Sequence, residues 1–140
     1  VAISIFISHS WAYSGHYDKL ADWIFNTPWN SQGSPVEFYN VSVPKDNPIH
    51  NAPNEQSLRE AIFGRIYQSN VVVIPTGMYA HYSKWIGKEI DGARAFAKPI
   101  LAVNPWAQEK KASVVTLAAS ESVGWNSSSV VNGIWKLARG

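Results

Sequence analysis

The chain has 140 residues, 46% of them hydrophobic and 16% charged, with a formal net charge of +2 and no cysteine. This length predicts one domain spanning 1–140 with a core of its own, while the small, scattered positive charge excludes nucleic acid as an expected partner. Without cysteine there are no disulfides, thiolate nucleophiles or Cys-type zinc sites, and no apolar run approaches the ~20 residues of a membrane span; a cytoplasmic protein with no membrane partner is expected.

Residues 2–7 are apolar and β-branched, the pattern of a buried parallel strand rather than a signal peptide, because the run is short and has no basic lead. Ser8-His9-Ser10 follows and is suited to capping. Tyr17, Leu20, Ala21 and Ile24 then recur at helical spacing within 17–25. Residues 28–35, rich in Pro, Asn, Gly and Ser, read as a loop, and 36–41 as a short second strand. The segment 42–53 holds Pro44, Pro48 and Pro53 and is expected to lie on the surface as a loop. Asn54 is a cap for a helix in which Leu58, Ile62 and Ile66 repeat every four residues. Residues 70–74 are the clearest strand, ended by Pro75-Thr76-Gly77 and followed by a helix over 83–97. A fourth strand is expected at 99–103, a short helix at 113–119 and a weak fifth strand at 121–125. Asn126-Ser127-Ser128 caps a final helix that buries Val130, Val131, Ile134 and Leu137.

Strands alternating with helices at this spacing predict an α/β fold: a five-stranded parallel sheet with helices on both faces, in the flavodoxin-like order 2-1-3-4-5. In such sheets a ligand binds at the carboxyl ends of the strands, beside the switch point between strands one and three. The loops at 8–13, 42–53 and 75–83 meet there. Glu89 is reached from the same side, through the third strand and its helix. Trp85 and Glu89 lie four residues apart and share a helical face, which sets a carboxylate beside an aromatic plane near the helix start. That pairing suits a ligand with a ring and a developing positive charge. By itself the pattern is rather that of a surface glutamate paired with Lys88 or Arg94.

Further along, seven tryptophans and six tyrosines exceed core needs and point to stacking surfaces. Trp23, Trp29, Trp106 and Trp135 are assigned to packing or partner surfaces. His16, His50 and His81 are too dispersed to argue for a metal site. There is no glycine-rich phosphate loop of either common type, so a nucleotide would enter as substrate and not as a resident cofactor. Gly87, inside the expected helix, costs ~1 kcal/mol relative to alanine, and a ligand or subunit approaching closely would account for it.

Several segments together resemble one family. Phe6-Ile7-Ser8-His9-Ser10-Trp11 and Asn40-Val41-Ser42-Val43-Pro44 look like the first strand and second loop of TIR-like domains. Gly77-Met78-Tyr79, Tyr82-Ser83-Lys84-Trp85-Ile86 and Lys88-Glu89-Ile90 look like the third segment. Lys98-Pro99-Ile100 and Val123-Gly124-Trp125-Asn126 match the fourth strand and the C-terminal part. The set is similar to the bacterial TIR-like proteins of the Thoeris antiphage defence system and covers nearly the whole chain.

The resemblance implies an NAD-consuming enzyme in which Glu89 is the catalytic carboxylate that cleaves the bond between nicotinamide and ribose. It implies a hydrolase or cyclase whose product is a cyclic ADP-ribose isomer or related nucleotide, and a separate downstream effector which that nucleotide activates. Phe6, Ser8, His9, Ser10, Trp11, Tyr13, Asn40, Ser42, Ser83 and Trp85 are then the expected substrate-binding residues. No metal and no cofactor are expected, since NAD is the substrate, and a homo-oligomer is a further expected partner. Six of these residues also have an ordinary role: Ser8 and Ser10 as caps, His9 as a backbone donor, Asn40 and Ser42 as turn formers, Trp85 in the core. A non-catalytic TIR-like module acting by self-association is the alternative. A receiver-like phosphorylation domain is excluded, because Ser8-His9-Ser10 and Pro75-Thr76 stand where acidic residues are required.

Overall fold

The computed structural model describes residues 2–8, 14–31, 33–42, 55–76, 79–104 and 113–139, and only the backbone of 14–16, 31, 55, 79–85 and 113–114. In chain order the elements are β1 (Ala2–Ile7), α1 (Ser14–Phe25), β2 (Trp29–Ser31), β3 (Ser34–Asn40), α2 (Glu55–Gln68) and β4 (Val71–Pro75). They continue as α3 (Tyr79–Ala95), β5 (Ile100–Asn104), α4 (Ser113–Ala118), β6 (Glu121–Gly124) and α5 (Ser127–Arg139).

The strands form one sheet in the order β2-β3-β1-β4-β5-β6. β1 runs parallel to β3 and β4, and β5 runs parallel to β4 and β6. These five strands follow the expected 2-1-3-4-5 succession. The expected strand count is corrected, because β2 adds a sixth strand that pairs antiparallel with β3 and makes the sheet mixed. The segment 28–35 is therefore largely a hairpin and not a loop. Gly33 at φ 85° turns it, a backbone angle that glycine adopts without Cβ strain. Trp29 lies opposite Val36 and donates its indole N–H to the Trp23 carbonyl at 3.0 Å, which anchors the hairpin against α1.

Alternation along the strands divides the core into two layers. Phe6, Val72, Ile74, Ile100 and Ala102 face Ile62 and Ile66 of α2, Ile86, Ile90 and Ala93 of α3, and Val115 of α4. Ile3, Ile5, Ile7, Val71, Val73, Leu101 and Val103 face Leu20 and Ile24 of α1 and Val130, Val131 and Ile134 of α5. Trp23, Trp29, Trp125 and Trp135 pack against this second layer, with Trp23 and Trp125 centred 5.1 Å apart. The packing role expected of Trp23, Trp29 and Trp135 is thus observed; Trp106 lies outside the described residues.

The helix ends follow local chemistry. Asn126 accepts the Ser129 N–H at 3.1 Å and so caps α5 as its sequence predicts. Asn54, the expected cap of α2, lies outside the described residues. α3 starts at Tyr79, four residues before the expected position, so Glu89 sits within the helix rather than near its start. Its other end closes with Ala97 N–H to the Arg94 carbonyl and Lys98 N–H to the Ala93 carbonyl. Ala97 takes the left-handed conformation (φ 54°) that this motif requires. Among the described residues no helix is long and apolar enough to cross a membrane.

Candidate active site

The carboxyl ends of β1, β3, β4 and β5 bring Ser8, Ser42, Thr76 and Asn104 to one edge of the sheet. β1 lies there between β3 and β4, at the switch point where open α/β sheets bind ligands. Alternation continues one residue past β1. Phe6 points to the α2–α3 layer, Ile7 to the α1–α5 layer, and Ser8 returns to the α3 side.

On α3 the buried stripe is Ile86, Glu89, Ile90 and Ala93, the i, i+3, i+4, i+7 spacing of a helix seated on a sheet. Glu89 therefore occupies a core position, not a surface one. It has no exposed surface, which corrects the surface-glutamate reading of the spacing alone. The Ser8 hydroxyl, also fully buried, donates to Glu89 Oε1 at 2.5 Å. Ser8 is held in turn by its N–H, which donates to the Val73 carbonyl at 2.8 Å.

A second set of bonds fixes the strand ends beside this pair. β3 leaves the ladder after Val41, whose N–H donates to the Ile5 carbonyl at 2.9 Å. The next β1 donor, Ile7 N–H, is satisfied by the buried Ser42 hydroxyl at 2.8 Å. Asn40 Oδ1 accepts the Ser42 N–H at 2.9 Å, and Asn40 Nδ2 donates to the Tyr17 hydroxyl at 2.9 Å. Arg65 of α2 donates to the Ser42 carbonyl at 3.1 Å. Farther along the edge, the Thr76 hydroxyl donates to Asn104 Oδ1 at 2.9 Å. Tyr17 and Arg65 were not among the residues expected from sequence. Arg65 carries no signal there, since it is simply the residue before a core isoleucine.

Of the expected site residues, the structure brings Ser8 to Glu89 and places Asn40 and Ser42 at the adjoining strand end. Phe6 is fully buried with Ile62, Ile66 and Val72 and is a packing residue in this fold. Ser83 and Trp85 lie on α3 by their backbone, and their side chains fall outside the described residues. His9, Ser10, Trp11 and Tyr13 also fall outside them. No group of three or more His, Asp or Glu able to hold a metal occurs among the described residues. At Gly87 a Cβ would meet nothing within 4 Å among the described residues. A groove of about 640 Å³ lies between α2 and α3, lined by Gln56, Arg59, Glu60, Phe63, Lys88 and Phe96; it does not include Glu89.

Comparison with known proteins gives one family. The family model described as Thoeris protein ThsB, TIR-like domain, matches residues 6–110. This span runs from the last two residues of β1 through β5 and takes in both partners of the Ser8–Glu89 bond. No curated protein matches the chain. Among solved structures, the crystal structure of a 3-dehydroquinate dehydratase-like protein from Bifidobacterium longum is similar, with a TM-score of 0.49 and 12% identity, over 99% of this chain and 96% of that one. A likeness at that level says nothing of function.

Proposed function

The chain belongs to the TIR-like domain family of the Thoeris protein ThsB, and from that premise we propose that it is a defence enzyme that cleaves NAD at the nicotinamide–ribose bond. The observation that carries the reading is the carboxylate of Glu89, buried beside the switch point of the sheet and bonded to Ser8. A carboxylate removed from water stabilises developing positive charge more strongly than one in bulk solvent.

The chemistry balances without a metal. The C1′–N1 bond of NAD breaks with its electron pair going to the pyridinium ring, so nicotinamide departs neutral and needs no acid. Positive charge passes to the ribose, as in the oxocarbenium-like states of glycoside hydrolysis. Glu89 stabilises that charge or holds the ribose hydroxyls. Water then attacks C1′ and loses a proton, giving ADP-ribose. Attack by the adenine of the same molecule, with loss of a proton, gives instead a cyclic isomer lighter by one water. Holding adenine over the sugar and keeping water out favours the second route. The product is the nucleotide signal for a separate effector in this proposal, and NAD is substrate throughout.

Because Glu89 has no exposed surface, the ribose reaches it only when the cover over it moves. Self-association is a means of moving that cover, and a homo-oligomer belongs to this proposal; a chain that stays monomeric by sedimentation at every concentration where it turns over contradicts that part. The same burial favours a second reading, a non-catalytic module in which the Ser8–Glu89 bond only joins α3 to the sheet. Glu89→Gln separates the two. It keeps size and an acceptor oxygen but removes the charge, so NAD cleavage is lost in a folded protein under the enzyme reading. Cleavage retained by folded Glu89→Gln rules the assignment out.

A further inference from the structure

We infer that Ser8 is the positioning residue for Glu89: it sets where the carboxylate points and does not itself bind substrate. The inference rests on the reading of Glu89 as the carboxylate that faces the ribose.

Three features carry it. The only donor proton of the Ser8 hydroxyl is given to Glu89 Oε1 at 2.5 Å, so it is not available to a diphosphate or a sugar. Both partners are tied to regular elements: Ser8 directly follows β1 and its N–H is bonded to β4 at Val73, and Glu89 lies between Ile86 and Ile90, both buried on α3. A constellation held by strands and helices keeps its geometry better than one held by loops. The bond also joins the residue just past β1 to the middle of α3 across 81 positions of sequence, so it couples the site to the packing of the whole α2–α3 layer.

The mechanism needs one carboxylate oxygen aimed at the anomeric carbon. A glutamate side chain has three rotatable bonds, and an unanchored carboxylate samples several orientations. With Oε1 held by Ser8, the carboxylate is fixed in one orientation. Residues that orient a reactive group in this way are typically worth about 10–100-fold in activity. Substrate affinity is set elsewhere, so the loss falls on kcat.

The test uses Ser8→Ala and Ser8→Cys with the full chain and NAD. Ser8→Ala removes only the hydroxyl and Ser8→Cys restores a weak donor of similar size. The expected result is a fall in kcat of about 10–100-fold for Ser8→Ala with KM changed less than about threefold, and partial recovery in Ser8→Cys. A Ser8→Ala protein with unchanged kcat overturns the inference. So does a large rise in KM at constant kcat, which is the signature of a substrate ligand.

A second measurement does not depend on turnover. Urea midpoints of the wild type, Ser8→Ala, Glu89→Met and the double variant form a cycle that reads the contact directly. Ser8→Ala lowers the midpoint in the wild-type background and not in Glu89→Met. Coupling within error of zero overturns the inference even if NAD is cleaved. Clear coupling with no NAD cleavage by any form supports the fixed carboxylate and overturns the glycosidic reading alone.

Discussion

Ile7 N–H donates to the Ser42 hydroxyl at 2.8 Å, so a side chain completes the β1 ladder at the point where β3 has left it. This is the last ladder bond before Ser8, and it is buried. Ser42→Ala leaves the Ile7 N–H without its acceptor in a site closed to water. The expected loss is about 1–3 kcal/mol of stability, read from urea unfolding with an unchanged slope. Ser42→Thr, which keeps the hydroxyl, recovers part of it where the added methyl fits. A Ser42→Ala protein as stable as wild type contradicts the assigned role.

Glu89→Gln is expected to fold with its stability changed by less than about 2 kcal/mol. The amide oxygen still accepts the Ser8 proton, and removing a buried charge offsets part of what is lost. Circular dichroism and urea unfolding check this. A collapse of the fold would mean that the charge itself holds α3 to β1.

Ala97 ends α3 in the left-handed conformation, at φ 54°, and is exposed. A left-handed residue with a Cβ costs about 1–2 kcal/mol. Ala97→Gly relieves that strain and is expected to raise stability by about 0.5–1 kcal/mol after the added freedom of the unfolded chain is counted. Thermal unfolding checks it, and turnover stays unchanged.

Two glycines of α3 are expected to respond in opposite directions to alanine. At Gly87 a Cβ meets nothing within 4 Å, so Gly87→Ala stabilises by up to ~1 kcal/mol through helix propensity. At Gly92 a Cβ comes within 2.9 Å of Ile66 Cδ1 and 3.0 Å of Phe63 Cδ1, where α2 crosses closely. Gly92→Ala therefore loses about 1–3 kcal/mol from overpacking. Equal effects at both positions, by urea midpoint, contradict the described packing of α2 on α3. A Gly87→Ala protein that is more stable yet inactive would place a partner or ligand against that helix.

Among the parallel strands, β1, β4 and β5 were legible because burial on both sides writes near-continuous apolar runs, such as Val71 to Ile74, and the half-exposed β3 and β6 were legible from their place between helical segments. The hairpin edge was not, because Trp29, Asn30 and Ser31 with Gly33 and Pro35 carry loop chemistry. What makes them a strand is the packing of Trp29 under α1 and a turn at Gly33. The position of Glu89 was legible from its place after the third strand, while its burial was misread. The signal was present: Glu89 falls at i+3 from Ile86 and i−4 from Ala93, in the core stripe rather than beside it. Its partner Ser8 lies 81 residues away, a pairing that only the sheet order supplies. Arg65 and Tyr17 carry no local mark, since their roles depend on where Ser42 and Asn40 come to rest.

The proposed reaction is cleavage of the nicotinamide–ribose bond of NAD by Glu89. The most direct measurement is incubation of the wild-type protein with NAD, alone and with extract of phage-infected cells, followed by chromatography and mass spectrometry. The expected result is released nicotinamide together with a product of ADP-ribose mass less one water, or with ADP-ribose itself if water wins the second step. Intact NAD in both conditions, with the protein shown to be folded, contradicts it.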